Sequence, residues 1–314
     1  MNKKIAALAI GAVVLIAGAY AVIGNKNKGA TDVSAKTSVT ITDARGEVEV
    51  PANPKTVVSF DYGVIDALDS MGIEVAGLPK GSLPSSISKY NDDKYAALGG
   101  LKEPDFEAVS ALNPDLIIIS GRQEDMYDKF AEIAPTIFLS VDGSKYVEDL
   151  TRNLNVLGTI FNKEDVVEEK LATIQDKIEE LSGAIKEKDV DALTMMVSEG
   201  ELSVYSATSR FGIIYNELGM NITDEKIETS SHGQKVSFEY LVEKNPEYLL
   251  VIDKGAAVGK EGTAKSVLDN DLVKSTDAYK NGNIIYLTSE AWYTIAGGVN
   301  STLTMLNDLE AILK

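Results

Sequence analysis

The sequence predicts an α/β protein of two similar lobes joined by one long helix, and three observations carry that prediction. Residues 162–189 hold a helical pattern with no strand pattern inside it, the segments on either side repeat one another, and short apolar runs alternate with helical periodicity through both flanks. In the central stretch Val167, Leu171, Ile174, Ile178, Leu181 and Ile185 recur at steps of three and four. That spacing puts them on one stripe of a 3.6-period helix and leaves the glutamates and lysines on the wet face. Asn162 is the expected N-cap, and Glu164 and Asp165 place negative charge in the first turn, where the helix dipole favours it. About 26 residues at roughly 1.5 Å each make a rod of about 39 Å, far longer than an average helix of ~11–12 residues. Such a rod can brace two bodies.

The flanks are internally related. Phe106-Glu107 opens a short helix that meets Asn113-Pro114 and is followed by Leu116-Ile117-Ile118-Ile119; Phe238-Glu239, Asn245-Pro246 and Leu249-Leu250-Val251 repeat the pattern 132 residues later. In each copy Asn-Pro stops the helix, and the Ile/Val/Leu run suits a buried parallel strand.

In chain order, 314 residues suffice for two cores. There is no cysteine, which removes disulfides, thiolate metal sites and cysteine nucleophiles. Lys3 and Lys4 precede an uncharged stretch, residues 5–24, which is long enough to span a bilayer and also resembles an export signal. Ala17-Gly18-Ala19 and Ala19-Tyr20-Ala21 are candidate cleavage sites, so export is expected either with cleavage or with retention as an anchor. Ile16-Ala17-Gly18 looks like the start of a lipobox, but Ala19 stands where the lipidated cysteine would be. The expected division is 1–24 signal or anchor, 25–37 tether, 38–161 N-terminal lobe, 162–189 connecting helix and 190–314 C-terminal lobe. Within the first lobe we expect a hairpin over 38–50 turning near Asp43-Ala44-Arg45-Gly46, strands at 57–60, 75–78 and 136–139, and helices at 62–71 and 147–161. Beyond the rod we expect strands at 192–198, 202–205 and 284–287 and helices at 211–218 and near 300–313. Alternating elements of this kind build parallel or mixed sheets covered by helices.

Ligands of such sheets sit in the crevice outside the carboxyl ends of strands. Arg122 lies just past the strand of the first repeat and Lys254, 132 residues on, just past that of the second; Arg210 follows another strand and opens a helix. The chain as a whole is strongly acidic, 30 basic against 48 acidic residues, and would repel nucleic acid and acidic bilayers. A local group of cations inside it points to a compact anion held by charge-assisted hydrogen bonds. No Gly-x-x-x-x-Gly-Lys loop is present, which argues against a nucleotide phosphate. The sole histidine, His232, lies in a polar loop ahead of the second repeat, and Tyr293 in a loop after a strand. One histidine excludes a multi-histidine zinc site. Imidazole plus phenolate suits Fe(III) if the remaining oxygen ligands arrive with the bound molecule.

The segments 101–109, Thr208-Ser209-Arg210-Phe211-Gly212, Ser231-His232-Gly233-Gln234 with Asn245-Pro246, and Glu290-Ala291-Trp292-Tyr293 together resemble the siderophore-binding proteins of bacterial ABC importers. Within these the chain looks like the branch that binds ferric catecholates such as petrobactin and bis-catechol breakdown products. The resemblance runs from about residue 38 to the C-terminus. It implies a class III periplasmic-binding-protein fold, a monomer with no intrinsic cofactor, Fe(III) carried as a siderophore complex, and an ABC permease as partner. It further implies that basic residues matching Arg122, Arg210 and Lys254 line the pocket, and that His232 and Tyr293 can ligate iron. Lys254 stands where the family commonly has arginine, a point charge in place of a fork.

Two other functions compete on sequence grounds. A haem or corrinoid binder on the same fold would use His232 or Tyr293 as axial ligand, but it needs a broad apolar face that the cationic polar loops do not offer. A serine hydrolase with His232 as base would need a nucleophile elbow, and no Gly-x-Ser-x-Gly occurs.

Overall fold

The computed structural model describes residues 37–313, all within one compact unit. The 5–24 segment with its cleavage-site candidates, and the tether up to residue 36, lie outside the described residues.

The chain enters on an antiparallel hairpin, β1 (Ser38–Asp43) and β2 (Gly46–Pro51). Asp43 holds its turn by accepting from the Arg45 and Gly46 N–H groups, and Gly46 takes a φ of 130°. The N-terminal half is built on β3 (Val57–Ser59), β4 (Gly77–Leu78), β5 (Ala96–Ala97), β6 (Leu116–Ile119) and β7 (Thr136–Phe138), all parallel in the order β5-β4-β3-β6-β7. The strand expected at 75–78 is paired only over its last two residues. The strand order reverses between β3 and β6, so the crevice favoured for ligands lies beyond Ser59 and Ile119.

The C-terminal half is built on β8 (Asp191–Ser198), β9 (Glu201–Val204), β10 (Asn221–Ile222), β11 (Gln234–Val236), β12 (Tyr248–Asp253) and β13 (Ile284–Tyr286). Its order is β11-β9-β8-β12-β13, with β10 pairing the start of β8. The sheet is mixed, because β9 runs antiparallel to both β8 and β11. The repeat is visible in the backbone: Asn113 and Asn245 both leave their helices at left-handed φ, 46° and 45°. Asparagine tolerates that conformation, and the following proline bars the helix from continuing.

Between the halves the helix Glu164–Lys188 buries Val167, Ile174, Ile178, Leu181 and Ile185, with Leu171 half-buried. Each fully buried aliphatic side chain contributes roughly 1.5–3 kcal/mol. Its start differs from the expectation. Asn162 is the left-handed C-cap of the preceding helix, Tyr146–Phe161, and Lys163 occupies the N-cap without a side-chain bond. The reason is local packing: a Cβ at Gly158 would stand 3.1 Å from the Val167 methyl, so the helices cross closely and the two-residue joint needs a positive φ. The helix expected at 211–218 is reduced to Ile213–Asn216, and that near 300–313 is α-helical only over Val299–Asp308 before a 3₁₀ turn, Leu309–Leu313.

That last helix does not stay with the C-terminal sheet. It packs on the helix Tyr62–Ser70 and on the long helix. Asp66, buried in Tyr62–Ser70, accepts from Asn300 Nδ2 at 2.9 Å and the Ser301 N–H at 3.0 Å, satisfying donors at the amino end of Val299–Asp308. One apolar cluster therefore runs through both halves and the rod.

Candidate ligand-binding site

A cavity of about 540 Å³ opens where the halves meet, within the size range of small-molecule sites. Its N-terminal wall is made by chain leaving the carboxyl ends of β3, β6 and β7, as the strand-order reversal predicts: Asp61, Ser120 to Arg122, and Leu139 to Gly143. The C-terminal wall is made by Thr208 to Arg210, Thr229 to Ser231 and Trp292 to Gly297. The floor is close-packed. A Cβ at Gly143 would collide with the Arg210 backbone and Ser209 O, and one at Gly63 with Ala296 O. Tyr146 fixes this floor from below: its hydroxyl accepts from the Gly297 N–H at 3.0 Å and shares a 2.8 Å bond with Thr302, while burial pushes its pKa up to about 12.

Arg122 and Arg210 come from opposite halves and meet on one atom. Their guanidinium Nη2 groups donate to Tyr293 O at 3.1 and 3.0 Å, and Arg210 also lies over the Tyr293 ring, 4.3 Å from its centroid. Neither has a carboxylate partner among the described residues. Arg210 Nε is buried without a hydrogen-bond partner, and burial lowers the Arg210 pKa, an effect the neighbouring Arg122 charge reinforces against the opposing pull of Tyr293. Two half-buried cations sharing a single neutral acceptor leave most of their donors unused. An anion is the species that would satisfy them.

The remaining expected residues are placed as follows. Tyr293 lines the cavity. His232 is exposed, one residue beyond Ser231, which lines it; the loop is held by Tyr205, whose hydroxyl donates to His232 O at 3.1 Å. Gly233 follows at a φ of 74°, and a Cβ there would stand 2.8 Å from the Tyr205 ring, so the position is closed to a larger residue. Lys254 is exposed and is not among the lining residues; its short helix, Lys254–Ala257, packs beside Ser289–Tyr293, the helix that carries Tyr293. Sequence reasoning did not single out Asp61, Asp142, Gly143 or Tyr146. Asp61 and Asp142 follow β3 and β7 in the same positional sense in which Arg122 follows β6, so the strand-end rule that found Arg122 applies to them as well.

The fold is that of a substrate-binding protein of the class III periplasmic type. The chain belongs to the periplasmic binding protein family, whose model matches residues 57–291. It is 46% identical over 264 residues to the petrobactin-binding protein YclQ of Bacillus subtilis, covering 83% of each chain. The crystal structure of that protein superposes with a TM-score of 0.86 at 43% identity, over 89% of this chain and 99% of that one. The catecholate-siderophore-binding protein VctP of Vibrio cholerae superposes with a TM-score of 0.84 at 38% identity, over 87% and 99%. The ferric-anguibactin-binding protein FatB of Vibrio anguillarum is 29% identical over 280 residues, 87% of each chain. These relatives are binding proteins by name, and none is an enzyme.

Proposed function

We propose that this protein captures a ferric catecholate siderophore outside the cytoplasm and delivers it to an ABC-transporter permease. The observation that carries the reading is the pair of guanidinium groups, one from each half, converging on Tyr293 O without a carboxylate partner. Ferric catecholates carry net negative charge, and forked arginine donors suit their phenolate oxygens. The names of the relatives supply the chemical class.

The iron is cargo and arrives with its own ligands. A tetradentate bis-catecholate fills four of about six positions on Fe(III), and His232 and Tyr293 take the remaining two, the first by movement of its exposed loop. A hexadentate siderophore leaves them no position. Lys254, exposed on the neighbouring helix, adds only a screened attraction. Because the halves share one apolar core with a rigid rod, closure on the ligand is small. The protein acts as a monomer, exported through residues 5–24, which hold it at the membrane if uncleaved.

Denticity tests the assignment. The chain has one tryptophan, Trp292, and it lines the cavity, so fluorescence quenching reports occupancy directly. The double variant His232→Ala, Tyr293→Phe is expected to weaken a tetradentate ferric complex at least tenfold while changing a hexadentate one little. The tetradentate complex should also show one handedness by circular dichroism, since two protein ligands fix the chirality at iron. Equal losses for both complexes would withdraw the metal-ligand roles and leave anion binding alone.

A further inference from the structure

The helix Ser289–Tyr293 carries the carbonyl on which both arginines converge, so its position sets theirs. Among the described residues, two from the N-terminal half form hydrogen bonds to it. One is Arg122, on Tyr293 O, and its donors are the ones an anionic ligand takes. The other is Ser85, which reaches Glu290 across 205 residues of chain: the carboxylate accepts the Ser85 N–H on Oε2 at 2.9 Å and the Ser85 hydroxyl on Oε1. Glu290 stands three residues before Tyr293, half-buried and outside the cavity lining.

Both ends of this contact are anchored. Ser85 opens the 3₁₀ segment Ser85–Asn91, which buries Ile87 and Tyr90; the Tyr90 hydroxyl donates to Asp69 at 2.5 Å and Lys89 pairs with the same carboxylate at 2.8 Å, tying the segment to the helix Tyr62–Ser70. On the other side Asp308 accepts the Trp292 indole N–H at 2.8 Å and the Thr288 N–H at 2.7 Å, tying the helix Ser289–Tyr293 to Val299–Asp308. Pro84, ahead of Ser85, has no side-chain acceptor to cap the segment, so its first N–H depends on Glu290. Glu290 forms no ion pair among the described residues, and its charge strengthens bonds to two neutral donors.

We propose that Glu290 is a positioning residue: with Ser85 it clasps the two halves beside the cavity and keeps Tyr293, with the arginines gathered on it, in place when the ligand draws Arg122 off the carbonyl. This rests on the ferric-catecholate reading above. Breaking the clasp removes no ligand contact. It frees the helix Ser289–Tyr293 on the side of the N-terminal half, so bound ligand escapes faster while encounter is little changed. A direct charge effect has the opposite sign, since removing a carboxylate near an anion site tightens binding.

The test measures affinity and dissociation of the ferric complex of a synthetic bis-catecholamide at pH 7 by Trp292 quenching, at a temperature where every variant is folded. Glu290→Ala should weaken binding roughly fivefold, chiefly through faster dissociation. Glu290→Gln keeps an acceptor for Ser85 and should recover most of that loss. Ser85→Ala, which removes one of the two donors, should weaken binding less, and adding it to Glu290→Ala should cost nothing further, as a shared contact requires. Amide exchange across 85–91 should quicken in Glu290→Ala without ligand. Native or tighter binding by Glu290→Ala, or additive losses in the double variant, would overturn the proposal; so would quickened exchange with unchanged dissociation, which would make the contact a structural bond alone. Absence of quenching in the native protein would instead overturn the ferric-catecholate reading, and the proposal with it.

Discussion

The two copies of the repeated unit end their strands differently, and that difference decides which cation lines the cavity. In the first copy β6 stops at Ile119; Ser120 turns away, its hydroxyl bonding Asp61 and its N–H bonding Gln123 Oε1, and Gly121 passes the chain into a 3₁₀ turn that sets Arg122 in the cavity. In the second copy the matching positions are Ile252 and Asp253, and both remain in β12. Ile252 is fully buried, and Asp253 caps the next helix by accepting from the Ala256 N–H at 3.1 Å. The strand thus runs two residues further and Lys254 emerges exposed. A duplicated scaffold preserves where a strand begins and how its helix is stopped. The polarity of two residues at its end redirects the side chain that follows.

The largest expected effects break the comparison at its active copy. Arg122→Ala and Arg210→Ala should each weaken ferric-catecholate binding by about 1.5–3 kcal/mol, the range for a charged hydrogen bond, read by fluorescence quenching. Unchanged affinity in either would remove that arginine from the site. Next is the joint between halves. Gly143→Ala puts a methyl into the Arg210 backbone and should cost about 1–3 kcal/mol of stability, seen as a lower Tm, together with affinity. Gly121→Ala, whose Cβ meets open space, is the control and should change Tm little.

A smaller effect concerns Glu217, which spans the halves by accepting from the Val147 N–H at 3.4 Å while its Oε2 is buried without a partner. Burial raises its pKa. The folded state therefore holds its proton to higher pH than the unfolded chain, so stability falls as pH climbs from the ordinary carboxylate range through the raised value and stays lower above it. Glu217→Gln should stabilise by about 1 kcal/mol at pH 7 and by less at pH 4, measured by thermal melts at the two pH values. Equal gains at both would place the effect elsewhere. The smallest effect is expected at the exposed copy: Lys254→Ala should shift affinity by less than about 0.5 kcal/mol, and less still at high salt. A loss matching that of Arg122→Ala would show that the two copies act alike after all.

Local pattern was enough for much of this architecture. The stripe from Val167 to Ile185, the Asn-Pro stops at 113 and 245, the hairpin turn at Asp43 to Gly46 and the buried runs of β6, β8 and β12 are all dictated by residues within a few positions of one another, through helical or strand periodicity and tolerance of positive φ. Arg122, Arg210 and Tyr293, singled out from strand-end position and residue type, all line the cavity. What the tertiary structure alone decided is which of these groups meet. Arg122 and Arg210 share Tyr293 O across separations of 171 and 83 residues, Asp66 bonds Asn300 across 234, and Asn162 closes one helix rather than opening the next because Gly158 lets Val167 approach. Periodicity reports on neighbours along the chain; the convergence of two cations on one carbonyl depends on how two sheets and a returning helix pack, and no local pattern encodes that.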